Sequence, residues 1–188
     1  VHPAVPANNV KELIALAKAN PGALNMASFG TGSVSHLAGE LFGSMAGVKF
    51  THVPYKGAAP ATADLMAGQV TFMFNSISVF VAPAKAGKLR MLATAGAERS
   101  PGLPDLPTVA ESGVPGFEAT TWHALLGPAG LSPEVVATLS REFGRALQLP
   151  DVREKLASMS LEPQTATPGP LAATLARDVA KWKRIVAE

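Results

Sequence analysis

The residues best equipped for chemistry in this 188-residue chain lie in one run, Ser28-Phe29-Gly30-Thr31-Gly32-Ser33-Val34-Ser35-His36. Two glycines let the backbone approach a ligand closely. The hydroxyls of Ser28, Thr31, Ser33 and Ser35 surround them, and a helical apolar stripe begins at Val34. The first amides of a helix have no partners within it and sit at the positive end of its dipole. Such a loop suits a carboxylate or phosphate held by neutral donors. The same residues also make an ordinary strand-to-helix turn with Ser33 as N-cap, and the run alone leaves both readings open. A dinucleotide fingerprint fits poorly, because its sixth position is Ser35 and the next strand ends in Tyr55-Lys56 rather than an acid. No Gly-Lys-Ser/Thr occurs, so there is no Walker A loop.

Three further turns carry polar groups. Tyr55 precedes Lys56-Gly57-Ala58-Ala59-Pro60, where Pro60 suits the first helical position and leaves the Gly57 and Ala58 amides facing a site. Lys56 could pair with a ligand anion or with a structural acid. Asn75-Ser76 offers a side-chain amide that both donates and accepts, and Thr94 to Gly96 forms the fourth turn. His36 can cap or pack, or donate to a ligand carboxylate. As a catalytic base it needs a nucleophile and an orienting acid, and none of the four turns contains an acid. His2, His36, His52 and His123 lack metal-ligand spacing, and there is no Cys. No metal, cofactor or catalytic residue is expected.

These turns are positioned by a repeated rhythm of helix, glycine and strand. A helix over 9–20, stopped by Asn20-Pro21-Gly22, leads to a strand over 24–28. A helix from Val34 ends at Gly47 before a strand over 48–55. Helices over 60–67 and 78–86 end at Gly68 and Gly87, before strands over 70–74 and 89–93. This alternation predicts a mainly parallel α/β sheet with helices on both faces. In such sheets ligands bind beyond the carboxyl ends of the strands, where all four turns lie. After Gly96 a Pro- and Gly-rich connector leads to an extended crossover over 117–126 containing Trp122. Helices over 132–147, 150–159 and 170–187 follow, with one short strand expected at 161–165.

Composition closes off several classes. The hydrophobic fraction is 47% and the charged fraction 16%, against a usual charged fraction of about 25%, which excludes a disordered chain. The net charge is +2, and the densest basic cluster, Lys181, Lys183 and Arg184, reads as a solvated helix face rather than a nucleic-acid footprint. No apolar run is long enough to span a membrane.

Ordered motifs along the whole chain add a resemblance. Val1-His2-Pro3, the run Gly-Thr-Gly-Ser-Val-Ser-His-Leu-Ala-Gly-Glu-Leu-Phe at 30–42 and Val53-Pro54-Tyr55-Lys56-Gly57 resemble the Bug-type, TctC-like substrate-binding proteins of tripartite tricarboxylate transporters. So do Ala86-Gly87-Lys88-Leu89-Arg90, Leu106-Pro107-Thr108-Val109 and Leu126-Gly127-Pro128-Ala129-Gly130. The resemblance implies a periplasmic-binding-protein-like fold and a periplasmic, non-enzymatic receptor. It implies that residues 1–120 form a complete second lobe and 121–188 the C-terminal portion of a first lobe whose remainder is missing.

The resemblance further implies a small carboxylate ligand (a di- or tricarboxylate, an acidic amino acid or an aromatic acid) delivered to membrane transporter subunits. Ser28, Phe29, Gly30, Thr31, Gly32, Ser33, Ser35, His36, Tyr55, Gly57, Ala58 and Asn75 are the expected ligand-binding residues. Phe29 and Asn75-Ser76-Ile77 depart from the family's usual residues there. With its first lobe partial, the chain is expected to self-associate, swap or repack through Val135, Leu139, Phe143 and Leu175. The rival readings are the effector-sensing domain of a transcription regulator, and a small hydrolase using Ser33 or His36.

Overall fold

The computed structural model describes residues 1–159, 161–164 and 167–187. These form two compact units, Val1–Thr121 and Trp122–Glu188.

The first unit is built on three parallel strands, β1 (Asn25–Ser28), β2 (Thr51–Pro54) and β3 (Phe72–Met73), in the order β2-β1-β3. Parallel neighbours need crossovers, here supplied by helices α2 (Val34–Ala46) and α3 (Ala58–Met66). Alternation along β1 sends successive side chains to opposite faces. Met26 lies against Gly39 of α2, whereas Ala27 joins Ala61 and Leu65 of α3 with Val70, Met73 and Leu89. The central strand β1 is therefore covered on both sides, with Met26 and Ala27 both buried. On the α2 face, Phe42 packs edge-on to Phe72, Phe74 and Phe117.

Local chemistry sets the helix limits. Helix α1 (Val10–Ala19) starts at Asn9, whose side chain accepts from the Glu12 amide. Helix α2 starts at Ser33 and ends at Gly47, whose left-handed backbone (φ 64°) closes the last turn. Helix α3 begins earlier than Pro60 suggested, because Gly57 (φ 118°) turns the chain straight into Ala58 and puts Pro60 third in the helix. Helix α4 (Ile77–Lys85) carries Pro83 near its end.

The strand expected at 89–93 does not join the sheet. Val1 and Arg90 exchange backbone hydrogen bonds (2.8 and 2.9 Å), and the His2 amide reaches the Thr71 carbonyl at 3.3 Å. The first two residues thus take backbone positions between β3 and the 89–93 segment. That segment's end makes only a parallel bridge, Thr94 to Thr108. β2 and β3 are likewise shorter than the apolar runs that signal them.

The second unit contains α5 (Pro133–Ala146), α6 (Pro150–Ser158) and α7 (Pro168–Ala187). Ser132 caps α5 and Pro133 opens it. The Trp122 indole donates to Asp178 on α7 at 2.7 Å. Residues 161–164 are not a strand; Thr165, the last residue of that expected strand, lies outside the described residues.

Gly39 gives a direct test of the helix-sheet contact. A Cβ there would lie 1.6 Å from the Met26 sulfur, and Met26 is itself buried. Gly39→Ala should destabilise the first unit by about 1–3 kcal/mol through overpacking, read as a lower urea midpoint in circular dichroism.

Candidate functional site

The carboxyl end of the sheet brings together the turns after β1, β2 and β3. The first is held from within. Ser28, fully buried at the end of β1, places its Oγ 3.2 Å from both the amide and the carbonyl of Gly30. The same oxygen lies 2.6 Å from His52 Nε2 on β2. The Ser33 hydroxyl donates to the Gly30 carbonyl at 2.6 Å and accepts from the His36 amide at 3.3 Å. Gly30 (φ 140°) and Gly32 (φ 77°) carry the backbone conformations that this tight path requires.

His36 grips the loop from the helix side. Its Nδ1 accepts from the Gly32 amide at 3.2 Å, which puts the proton of the neutral ring on Nε2, facing Glu40 at 3.4 Å. The ring stacks on His52, with centroids 3.9 Å apart and an interplanar angle of 21°. Burial, and then the charge of His36, hold the His52 pKa below the ordinary imidazole value, with Glu40 acting in the opposite sense.

Several expected ligand donors are already engaged inside the protein. The hydroxyls of Ser28 and Ser33 hold the loop, and Ser35 Oγ donates to the Phe74 carbonyl at 2.5 Å, tying the start of α2 to the end of β3. Phe29 packs against the apolar cluster of the α3 face. The Tyr55 hydroxyl donates to Asp64 at 2.7 Å, and that bond foremost raises the phenol's pKa. Tyr55 reaches the loop through its backbone: its amide donates to the Ser28 carbonyl, and its own carbonyl lies 3.7 Å from where a Gly30 Cβ would stand.

Among the described residues, the amides of Thr31, Val34 and Ser35 make no hydrogen bond, nor do those of Gly57 and Ala58. These are the donors left for a ligand, clustered at the N-termini of α2 and α3. Asn75 adds one more. Its Oδ1 accepts from the Ser76 amide at 2.8 Å, while its Nδ2 is buried without a partner. The Thr94 hydroxyl is likewise buried and unpartnered. Both residues line a cavity of about 110 Å³ with Phe72, Phe74 and Met91. None of the loop residues 28–36 lines that cavity; it is the open amides at the starts of α2 and α3 that can accept an anion through neutral donors. Among the described residues no group of three or more His, Asp or Glu could hold a metal.

His52 and Asp64 were missed as partners of this site by reading the chain in order. His52 stands in register with Met26, so it shares the α2 face. The available signal was a histidine two residues before the end of a strand, beside a helix carrying His36.

The chain matches the family "Tripartite tricarboxylate transporter family receptor" over residues 1–188. It is 36% identical over 181 residues to the UPF0065 protein in the tcbD-tcbE intergenic region of Pseudomonas sp. (strain P51), covering 96% of this chain and 54% of that protein. It resembles the structure of R. palustris Rpa4515 with adipate, with TM-score 0.86, 34% identity and coverage of 100% of this chain and 62% of that one. It also resembles MatC (Rpa3494) from Rhodopseudomonas palustris with bound malate, with TM-score 0.81, 33% identity and coverage of 98% and 64%. The chain spans about half the length of the curated relatives it matches.

The Ser35 bond gives a test of how the site is anchored. Ser35→Ala should cost about 1–2 kcal/mol, because it leaves the Phe74 carbonyl without that donor in a part-buried setting. Urea denaturation of the variant beside the parent chain reads the loss.

Proposed function

The chain belongs to the tripartite tricarboxylate transporter receptor family, a family of solute-binding receptors, and from that premise we propose that its glycine-serine loop captures one carboxylate of a small acid reversibly. The observation that carries the reading is the set of unbonded amides at Thr31, Val34 and Ser35, at the start of α2; the turns that carry Gly57, Ala58 and Asn75 leave the same end of the parallel sheet. A carboxylate accepts several hydrogen bonds at once, and helix N-termini favour its charge. The two R. palustris proteins hold adipate and malate, both aliphatic dicarboxylates, and we assign the same chemical class here. Thr31, Gly32, Ser33 and Ser35 shape the loop, while Ser28, Phe29, Gly30, His36 and Tyr55 support it from behind. Gly57, Ala58 and Asn75 line its flank.

The receptor acts outside the cytoplasm in this proposal, as the family's periplasmic receptors do, and passes its acid to membrane transporter subunits. Ligand capture, with no bond made or broken, is the whole of its chemistry. One contact favours a hydrolase: Ser28 Oγ lies 2.6 Å from His52. Ser28 is fully buried, however, so no substrate carbonyl reaches it. The acid in this cluster, Glu40, faces His36 rather than His52.

Isothermal calorimetry with adipate, malate, citrate, glutamate and nicotinate tests the carboxylate reading, on this chain and on one extended to the relatives' length. A dicarboxylate should bind, and Asn75→Ala should weaken it about tenfold, the equivalent of one hydrogen bond of about 1.4 kcal/mol. Absence of heat with all five acids in both chains removes the receptor reading.

We also propose that the second unit mediates self-association. Val135, Leu139 and Phe143 follow one another at helical spacing on α5 and are 43%, 41% and 47% exposed; Leu175 on α7 is 47% exposed. Contiguous apolar stripes of this kind bury themselves against a partner. The sedimentation coefficient should rise with concentration, and Leu139→Glu should suppress the rise. A parent chain that sediments as a monomer at every concentration contradicts the proposal.

A further inference from the structure

We propose that His52 is a proton-linked positioning residue of the carboxylate loop, acting through Ser28 and in concert with the stacked His36. This rests on the reading of the loop as the carboxylate site, but its core concerns the loop itself.

Ser28 has a single hydroxyl hydrogen and three neighbours within reach: His52 Nε2 at 2.6 Å, and the Gly30 carbonyl and amide at 3.2 Å each. When His52 Nε2 is bare, the hydroxyl donates to it and accepts from the Gly30 amide. When Nε2 carries a proton, the ring donates to Ser28, and the hydroxyl turns to the Gly30 carbonyl. That carbonyl already accepts from the Ser33 hydroxyl at 2.6 Å and the Ser33 amide at 3.1 Å. With the hydrogen of the neutral His52 ring on Nδ1, protonation therefore redistributes the hydrogen bonds that set the Gly30–Ser33 turn.

His36 holds the same turn by its other end. Its Nδ1 accepts from the Gly32 amide. The rings are 3.9 Å apart, so charge on His36 disfavours charge on His52. The charged and titratable groups acting on His52 are His36 and Glu40, both from α2; β1 contributes the Ser28 hydroxyl.

The sign follows from linkage. In the free protein, burial and His36 disfavour the His52 cation. A carboxylate seated on the turn favours it and raises the His52 pKa. Binding therefore takes up a proton, and affinity increases as pH falls from the bound-state pKa toward the free-state one. Below the free-state value the gain is complete. A shift of one pKa unit corresponds to about a tenfold change in Kd across that window.

The decisive measurement needs no ligand. In the 188-residue chain labelled with 15N, the amides of Gly30, Gly32 and Ser33 should shift with the same midpoint as the His52 ring, read from its own imidazole resonances. In His52→Gln the component at that midpoint should vanish. Loop amides that stay fixed while His52 titrates overturn the inference, with or without a ligand.

Calorimetry with malate in buffers of different ionisation enthalpy then measures proton uptake. Uptake in the parent and none in His52→Gln, at equal pH, supports the linkage, because malate's own titration is common to both. Equal uptake in the two overturns it. Failure of every acid to bind, with loop amides still following His52, sinks the carboxylate reading and leaves His52's control of the turn standing. If His52→Gln does not fold, the ligand-free titration of the parent chain decides alone.

Discussion

Ser28 ends a strand that has no freedom left: β1 is hydrogen-bonded to β2 on one edge and β3 on the other, and helices cover both of its faces. Its hydroxyl is fully buried, so every hydrogen bond it makes is made under desolvation, where leaving a donor or acceptor unpaired costs about 1–3 kcal/mol. The loop after it inherits that rigidity. The rest of the site depends on this one fixed residue, because parallel topology places the turns after β1, β2 and β3 at the same edge, and only the first is bound to its neighbours by side-chain hydrogen bonds on both flanks.

A neutral site has a physical advantage for a receptor that must release its cargo. A buried full charge demands a partner at all times, whereas amides at a helix N-terminus can be satisfied by water or by an anion with little difference in solvation. The hydroxyls that a sequence reader assigns to the ligand are spent instead on holding those amides in place. Ser33 and Ser35 make this plain: each has its hydroxyl committed to a backbone carbonyl, while the Ser35 amide stays open. Preorganisation of this kind reduces the ordering cost at the moment of binding.

How much of this was legible in the sequence varies with the range of the interaction. Ser33 as N-cap, Gly47 as the left-handed end of α2, and Ser132-Pro133 at the start of α5 are local signals, and the backbone follows them. The strand at 89–93 failed because its pairing depends on Val1 and His2, some 90 positions distant, which no periodicity reveals. Helix α3 starts at Ala58 because the Gly57 conformation outweighs the usual place of Pro. Tyr55 and Asp64 meet only after a strand has turned into a helix. His52 was weighed solely as a metal ligand, yet its position beside Met26 fixes the face on which it meets His36. The run 28–36 was readable as a glycine-serine turn opening α2; which of its hydroxyls hold the turn itself, Ser28 and Ser33 to Gly30 and Ser35 to Phe74, was not.

The two units differ sharply in what holds them. Among the described residues, the buried apolar side chains lie within residues 1–121 except Ile185, so their hydrophobic free energy resides almost wholly in the unit that carries the loop. In the second unit the polar bond between Trp122 and Asp178 stands among helices whose apolar residues are largely exposed. The Asp178 carboxylate is itself buried, so the indole satisfies a group that would be costly to leave unpaired. The loop's geometry is accordingly secured by its own core, and order in α5–α7 is not a condition for it. The contacts that hold the turn, Ser28 to His52, Ser33 to Gly30 and His36 to Gly32, all lie within that first unit.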